Sequence, residues 1–229
     1  MTEPGEFKVK VNETERVTAL LYSAAKRNRA GVTVLLGHGA GSDQLSAFMI
    51  MIATGLAARG IDAMTFNFLY TERGRRLPDP KARLESCYHA VINAALSHRK
   101  LRNNRLVIGG KSMGGRIASQ VAAVAPDGIA GLLFLGYPLH PPGRPDKLRD
   151  EHLKDIHVPM FFVQGSRDVF GTREEIGAVI KKLRLPAELY VIEGGDHSFK
   201  VPKSLDVPQD TVYENVMDEV DRWTRALML

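Results

Sequence analysis

Cysteine is almost absent from the sequence, which contains only Cys87. An intrachain disulfide is therefore impossible, and a reducing compartment is the simplest expectation. The sequence also lacks a run of about 20 apolar residues, the length that crosses a bilayer. Its first residues, MTEPGEFKVKVNETE, are polar and lack the apolar core of a signal peptide. We therefore expect a cytoplasmic protein that does not associate with a membrane.

Motifs for metals and nucleic acids are also missing. We find no zinc-ligand spacing, no RNA-binding motif of aromatic and basic residues, and no heptad run. The net charge of +5 is compatible with an anionic partner, but the basic residues are spread out, apart from the cluster TERGRRLPDPKAR. We expect no metal, no cofactor and no nucleic acid, although a basic module associated with nucleic acid stays open as an alternative.

The 229 residues are enough for one well-packed domain, and their pattern alternates between strands and helices. FKVKV and VTALLYS alternate like half-exposed edge strands, whereas the strand-like runs from Val32 onwards are short and apolar almost throughout. Such a pattern predicts the α/β class, with a mostly parallel central sheet and helices on both faces. We expect a single domain over residues 1–229, with its ligands beyond the carboxyl ends of the strands.

One serine stands among glycines where a strand pattern changes to a helix pattern. The stretch Gly110-Lys111-Ser112-Met113-Gly114 fits G-x-S-x-G. In such a turn the serine is strained, and side chains two positions away would collide with neighbouring elements. The hydroxyl is lifted clear of the sheet beside the N–H of Met113, at a helix N-terminus. Ser112 is the predicted nucleophile, although a tightly packed turn with Ser112 as a helix cap is the alternative.

A nucleophilic serine needs a base, and the base needs an acid that orients it. Asp168 in GSRDVF and His197 in EGGDHSF each follow a late predicted strand. We predict His197 as the base and Asp168 as the acid, with Glu193 as a weaker rival and Asp196 as a turn cap. The order serine, acid, histidine is the one described for α/β-hydrolases. The other histidines lie in a helix, in a polar connection or too early in the chain: His38, His89, His98, His140, His152 and His157.

The loop after the strand VTVLL, LLGHGAGSD, is predicted to supply a second donor to an oxyanion. Its glycines allow the backbone to approach a substrate oxygen. We expect the N–H of Ala40 to act together with that of Met113, and Gly39 is the neighbouring alternative. An ordinary tight turn is the competing interpretation of this loop.

Basic side chains near the predicted site are candidates for substrate binding. The loop YTERGRR follows the strand AMTFNF, so Arg73 or Arg76 would clamp a carboxylate or phosphate there. Salt bridges to Glu72 and Asp79 are the alternative. Lys111, next to the nucleophile, is a further candidate.

Three stretches of the chain, GKSMGG, GSRDVF and GGDHSF, resemble the α/β-hydrolase superfamily, from Val32 to the last helix. LLGHGAGSD, FNFLYTERGRRLPDP and GKSMGGR resemble its dienelactone-hydrolase-like branch, in the KANSL3/Tex30-like group. The resemblance implies an α/β-hydrolase fold with Ser112, Asp168 and His197 in the triad positions. Dienelactone hydrolases themselves use a cysteine nucleophile, so their substrate is not implied here.

These observations lead us to expect a serine hydrolase of the carboxylesterase type. It would cleave an ester or related acyl bond of a small, soluble substrate, either neutral or anionic. We expect the protein to be a monomer or a homodimer. We expect a minimal lid or none, since the longest candidate is the proline-containing stretch YPLHPPGRPDKLRDEHLKDIHV. Thioesterase and peptidase activities use the same triad. Because some members of the resembled group look like scaffolds, an interaction protein with little or no activity is the alternative.

Overall fold

The structure, a computed structural model, describes residues 3–228 and is built around one eight-stranded sheet. The strand order is β1-β2-β4-β3-β5-β6-β7-β8. β2 is antiparallel to both β1 and β4, and the remaining neighbours are parallel. The strands are β1 Gly5–Lys10, β2 Arg16–Tyr22, β3 Val32–Gly37, β4 Asp62–Phe66, β5 Arg105–Lys111, β6 Ile129–Leu135, β7 Met160–Gly165 and β8 Ala187–Ile192.

Helices cover both faces of the sheet and enclose two apolar layers. α1 and α6 contribute to one layer, and α3, α4 and α5 contribute to the other. The predicted α/β class with a mostly parallel sheet is confirmed. The helices are α1 Ala47–Ala58, α2 Leu69–Glu72, α3 Lys81–Ser97, α4 Met113–Val124, α5 Arg173–Leu183 and α6 Gln209–Ala226.

The prediction for β2 as a half-exposed edge strand is wrong. β1 covers its outer edge, and all its residues except Arg16 are buried. Ala19 and Leu21 point into one apolar layer, whereas Leu20 and Tyr22 point into the other. An alternating pattern normally indicates one solvated face, but here both faces of the strand are covered by helices.

The connection between β6 and β7 holds the stretch that the sequence offers as the longest lid candidate, and it contains only a short 3-10 helix, Glu151–Asp155. The expectation of a minimal lid is therefore confirmed. Within residues 3–228, no helix combines the length and the apolar character required to cross a membrane.

Candidate active site

Ser112 lies in the turn between β5 and α4 with an unusual backbone conformation. Its φ of 51° and ψ of −114° lie in a region that residues with a side chain rarely adopt. A Cβ atom built on Gly110 would lie 2.7 Å from the backbone nitrogen of Gly37 in β3, and one built on Gly114 would lie 2.9 Å from the Gly37 Cα. The two glycines therefore allow β5 and α4 to pack against β3, and they leave the serine raised at the turn.

The structure brings Ser112, Asp168 and His197 together at the carboxyl edge of the sheet. Ser112 Oγ is 2.9 Å from His197 Nε2, and His197 Nδ1 is 2.7 Å from Asp168 Oδ2. Asp168 follows β7, and His197 lies in the loop after β8. An ionised carboxylate only accepts hydrogen bonds, so Nδ1–H donates to Asp168 and leaves Nε2 free to accept from the Ser112 hydroxyl.

Asp168 is fully buried, and its carboxylate has further donors. The N–H of Phe170 donates to Oδ1 over 2.8 Å, and the Gln164 side chain donates to Oδ2 over 2.9 Å. Gln164 also donates to the carbonyl of Gly171 and accepts from the N–H of Tyr137. The sequence reasoning missed Gln164, although an amide within the apolar strand MFFVQG was a usable signal.

Three kinds of contact stabilise the loop that carries His197. The Phe170 ring packs against the imidazole with a centroid separation of 4.3 Å. Lys111 Nζ donates a hydrogen bond to the backbone carbonyl of His197. Asp196 Oδ1 accepts from the N–H groups of Ser198 and Lys200 and caps the turn, so this carboxylate does not serve His197. Glu193, the other rival acid, is exposed and pairs with Arg173.

The predicted oxyanion loop faces the serine. A Cβ atom built on Gly39 would lie 3.8 Å from the Ser112 Cβ, and Gly39, Ala40 and Met113 line the same pocket as Ser112. Within residues 3–228, the N–H groups of Ala40 and Met113 donate to no protein acceptor. Both donors are therefore available to a bound oxygen.

His38 supports this loop from below. It is fully buried, its Nδ1 lies 2.8 Å from the Gly39 carbonyl oxygen, and its Nε2 accepts from the N–H of Phe68. Burial lowers the pKa of His38, although the hydrogen bond to Gly39 opposes this shift. A neutral His38 with its proton on Nδ1 satisfies both contacts, and it holds the loop rather than acting as the base.

A pocket of about 840 Å³ opens in front of Ser112. This volume falls in the usual range for small-molecule sites. Apolar side chains form much of the wall, including Phe48, Met51, Phe170 and Tyr213. Among residues 3–228, no three His, Cys, Asp or Glu side chains are grouped in a way that would hold a metal ion.

The structure does not bring Arg73 or Arg76 to this pocket. The short helix α2, which the sequence did not indicate, turns their loop towards the hairpin of β1 and β2. There Arg73 pairs with Glu15, and Arg75 pairs with Asp79 over 2.5 Å. Arg76 is exposed. The loop therefore forms salt bridges, to Asp79 as in the alternative interpretation and to Glu15 in place of Glu72. A substrate role of Arg76 stays a prediction.

Lys111, in contrast, does line the pocket. Its Nζ lies 5.3 Å from the ring centroid of Phe199 and 5.9 Å from that of Phe48. A Cβ atom on Gly136 would lie 2.8 Å from this Nζ, so the glycine at the end of β6 provides the space for it. Burial lowers the pKa of Lys111 from 10.5 to about 8, although Asp168 and Asp196 oppose the shift.

This shift predicts that Lys111 destabilises the folded protein near neutral pH. Between pH 8 and 10.5 the unfolded chain holds a proton that the folded protein has released, so the free energy of unfolding rises with pH there. We expect the free energy of unfolding of the wild type to rise by about 1–3 kcal/mol relative to that of Lys111→Met as the pH increases from 8 to 10.5. The lower part of this range applies because Lys111 keeps some contact with solvent. Urea unfolding of both proteins at several pH values measures the gain. Lys154→Met, at an exposed lysine, is the control, and a difference that stays flat with pH would contradict the prediction.

Solved structures of other proteins share this arrangement of strands and helices. An α/β serine hydrolase without a lid from Xanthomonas campestris superposes with a TM-score of 0.74 at 16% identity, over 97% of this chain and 96% of that chain. A dienelactone hydrolase from Anabaena variabilis gives 0.73 at 20% identity, over 97% of both chains. The esterase domain of a Rhodothermus marinus protein gives 0.72 at 14% identity, over 98% of this chain and 99% of that one. At these identities the similarity shows the fold.

The sequence itself matches a protein family over most of its length. A family model described as an alpha/beta hydrolase domain matches residues 30–225. The match includes β3, the turn at Ser112, and the loops of Asp168 and His197. The chain therefore belongs to the alpha/beta hydrolase domain family.

Proposed function

We propose that this protein is a serine hydrolase that cleaves an ester or related acyl bond with Ser112, His197 and Asp168 as its catalytic triad. The observation that carries the proposal is the pair of short contacts from Ser112 Oγ to His197 and from His197 to Asp168. A purely structural hydrogen-bond chain would not need a strained residue. The backbone of Ser112 costs about 1–3 kcal/mol, and such strain is concentrated at functional sites.

In the acylation step, Ser112 Oγ attacks the substrate carbonyl carbon while His197 Nε2 takes the hydroxyl proton. Asp168, buried and fixed by Gln164, holds the imidazole and stabilises its positive charge. The tetrahedral oxyanion accepts hydrogen bonds from the N–H groups of Met113 and Ala40. When the intermediate collapses, the leaving group takes the proton from Nε2, and the acyl group stays on Ser112.

In the deacylation step, water replaces the leaving group. His197 Nε2 takes one proton from the water, and the resulting hydroxide attacks the acyl carbon. The same two N–H groups hold the second oxyanion. Ser112 Oγ then leaves with the proton from Nε2, and the free acid departs.

The pocket favours a small substrate with an apolar part. Its volume of about 840 Å³ and its aromatic and methionine side chains suit a compact acyl compound, and residues 3–228 form no large cap over it. We therefore place carboxylic esters first, ahead of thioesters and peptides that would use the same triad.

Within the family we place the chain in the dienelactone-hydrolase-like branch and its KANSL3/Tex30-like group, because of the stretches LLGHGAGSD and GKSMGGR. Residues 1–229 act as one hydrolase domain in this proposal, and the single sheet with a helical layer on each face supports it. A cytoplasmic location, and a monomer or homodimer that binds no nucleic acid, stay predictions. Cell fractionation, sedimentation and a salt-dependent binding assay test them in turn.

Labelling with an uncharged fluorophosphonate probe tests the proposed nucleophile. We expect one adduct, at Ser112, located by mass spectrometry of the digested protein, because only an activated hydroxyl in a pocket reacts readily. Ser112→Ala should remove the adduct. Ser198→Ala, which alters a hydroxyl on the same pocket wall, should keep it.

Two results would contradict the proposal. An adduct at another residue would show that Ser112 is not the nucleophile. Folded wild-type protein that neither reacts with the probe nor hydrolyses a panel of short esters and thioesters would favour the alternative, an interaction protein built on a hydrolase fold.

A further inference from the structure

We propose that the pocket binds substrates that carry a carboxylate or phosphate group, and that Arg116 and Arg149 hold this anion. The inference rests on the proposed hydrolase function and names the substrate class for that site. Both arginines line the same pocket as Ser112 and His197. Neither arginine is among the site residues predicted from the sequence.

Arg116 belongs to the helix that starts at the nucleophile. It lies four residues after Ser112, and its N–H donates to the Ser112 carbonyl over 3.1 Å, so its side chain leaves the same side of α4. Its Nε is buried and has no hydrogen-bond partner within residues 3–228. An unsatisfied buried donor on a charged group costs free energy that a bound anion would recover.

Arg149 approaches from the connection between β6 and β7. Its Nη1 donates over 3.3 Å to the carbonyl of Pro138. This hydrogen bond uses only one of the five N–H bonds of the Arg149 guanidinium group. Burial, and after it the positive charge of Arg116, lower the pKa of Arg149. Both guanidinium groups therefore belong to one pocket wall, and neither forms an ion pair with a carboxylate of residues 3–228.

In the described part of the chain, Arg116 and Arg149 differ from the other arginines in being half-buried without an ion pair. Within residues 3–228, every other arginine is either exposed or forms an ion pair. Only Arg116 and Arg149 are half-buried without an ion pair to a described carboxylate. Asp150, the acid next to Arg149 in the chain, is buried but pairs with neither. Two half-buried cations without ion pairs on one pocket wall are costly unless a ligand supplies the opposite charge.

The charge of the pocket wall points the same way. Among residues 3–228, its basic side chains are Lys81, Lys111, Arg116, Arg149 and Lys200, whereas its one carboxylate is Asp79. Asp79 is already neutralised by Arg75 and Arg83. Planar guanidinium groups match the geometry of carboxylate and phosphate oxygens, and two of them can share one anion.

Matched esters test this subsite. 4-Nitrophenyl valerate and mono-4-nitrophenyl glutarate have acyl chains of the same length, and only the second ends in a carboxylate. Methyl 3-acetoxybenzoate and 3-acetoxybenzoate place the same difference on the leaving group. We expect wild type to prefer the anionic member of at least one pair by about tenfold or more in kcat/KM, the scale of a charged hydrogen bond.

The arginine variants assign that preference to residues. Arg116→Gln and Arg149→Gln should each reduce the preference by about tenfold, while kcat/KM for the neutral ester changes by less than about threefold. Arg102→Gln, at an exposed arginine before β5, is the matched control and should behave as wild type. A preference that is lost in Arg76→Gln instead would overturn the assignment and return the anion to the loop after β4. The absence of any preference in wild type would overturn the subsite.

A binding measurement separates this inference from the proposed chemistry. Ser112→Ala should show a melting temperature that rises with added glutarate or inorganic phosphate, and Ser112→Ala with Arg149→Gln should lose that rise. A response to one anion only identifies the group that the site takes. Fluorophosphonate labelling without any anion effect would overturn the subsite and leave the hydrolase intact. An anion effect without labelling or turnover would do the reverse.

Discussion

Ser112→Ala and His197→Ala are each expected to reduce kcat towards a short ester by about 10⁵–10⁶-fold, and the double variant should be no slower than either. The reason is that the hydroxyl and its base act as one unit, since Ser112 Oγ lies 2.9 Å from His197 Nε2. Without the base the hydroxyl is a poor nucleophile, and without the hydroxyl the base has nothing to activate. Steady-state kinetics with an active-site titration of the wild type gives all three rates.

The residual rate of these variants carries information as well. The N–H groups of Met113 and Ala40 stay in place in all of them, so a small rate above that of water should survive. His157→Ala, at an exposed histidine away from the pocket, is the control for the loss of an imidazole. Losses that multiply in the double variant would show that Ser112 and His197 act separately, and they would contradict the triad.

Much of the fold follows from local sequence pattern. β5 ends and α4 begins on either side of Ser112, where the sequence predicts the change from strand to helix, because the apolar run RLVI, the glycines and the helical period limit the two elements. The burial of β2 could not be predicted in the same way. Its alternating pattern describes one strand, whereas its exposure depends on β1 pairing with its free edge and on helices over both faces.

In the candidate site too, local pattern predicts some residues, whereas others depend on distant parts of the chain. Ser112, Asp168 and His197 could be nominated because each follows a predicted strand, and parallel strands bring their carboxyl ends to one edge. Arg73 could not be placed, since its partner Glu15 lies 58 residues earlier in the chain. The position of Arg149 could not be predicted either, because it depends on the path of the chain between β6 and the short 3-10 helix Glu151–Asp155. Arg116 could have been predicted from the sequence, because it lies four residues after the serine and therefore on the same helix face.

Gly114→Ala is expected to reduce the free energy of unfolding by about 2–4 kcal/mol and turnover by about 100-fold or more. The added methyl group would collide with the backbone of Gly37, which cannot move aside as a flexible side chain does. Either β3 or α4 must shift, and a shift of α4 carries Ser112 and the Met113 N–H away from His197. Urea unfolding followed by the fluorescence of the single tryptophan, Trp223, measures stability, and fluorophosphonate labelling measures the nucleophile.

Two other glycines make the series quantitative. Gly177 lies within α5, and a Cβ atom there would meet nothing within 4 Å, so Gly177→Ala should stabilise the protein by about 0.5–1 kcal/mol. A Cβ on Gly115 would lie 2.8 Å from the Gly110 carbonyl oxygen, and Gly115→Ala should fall between the two. If Gly114→Ala does not accumulate as folded protein, the order of the other two still tests the argument. Wild-type stability and labelling in Gly114→Ala would show that the turn tolerates a side chain, and the steric reason for G-x-S-x-G in this chain would be wrong.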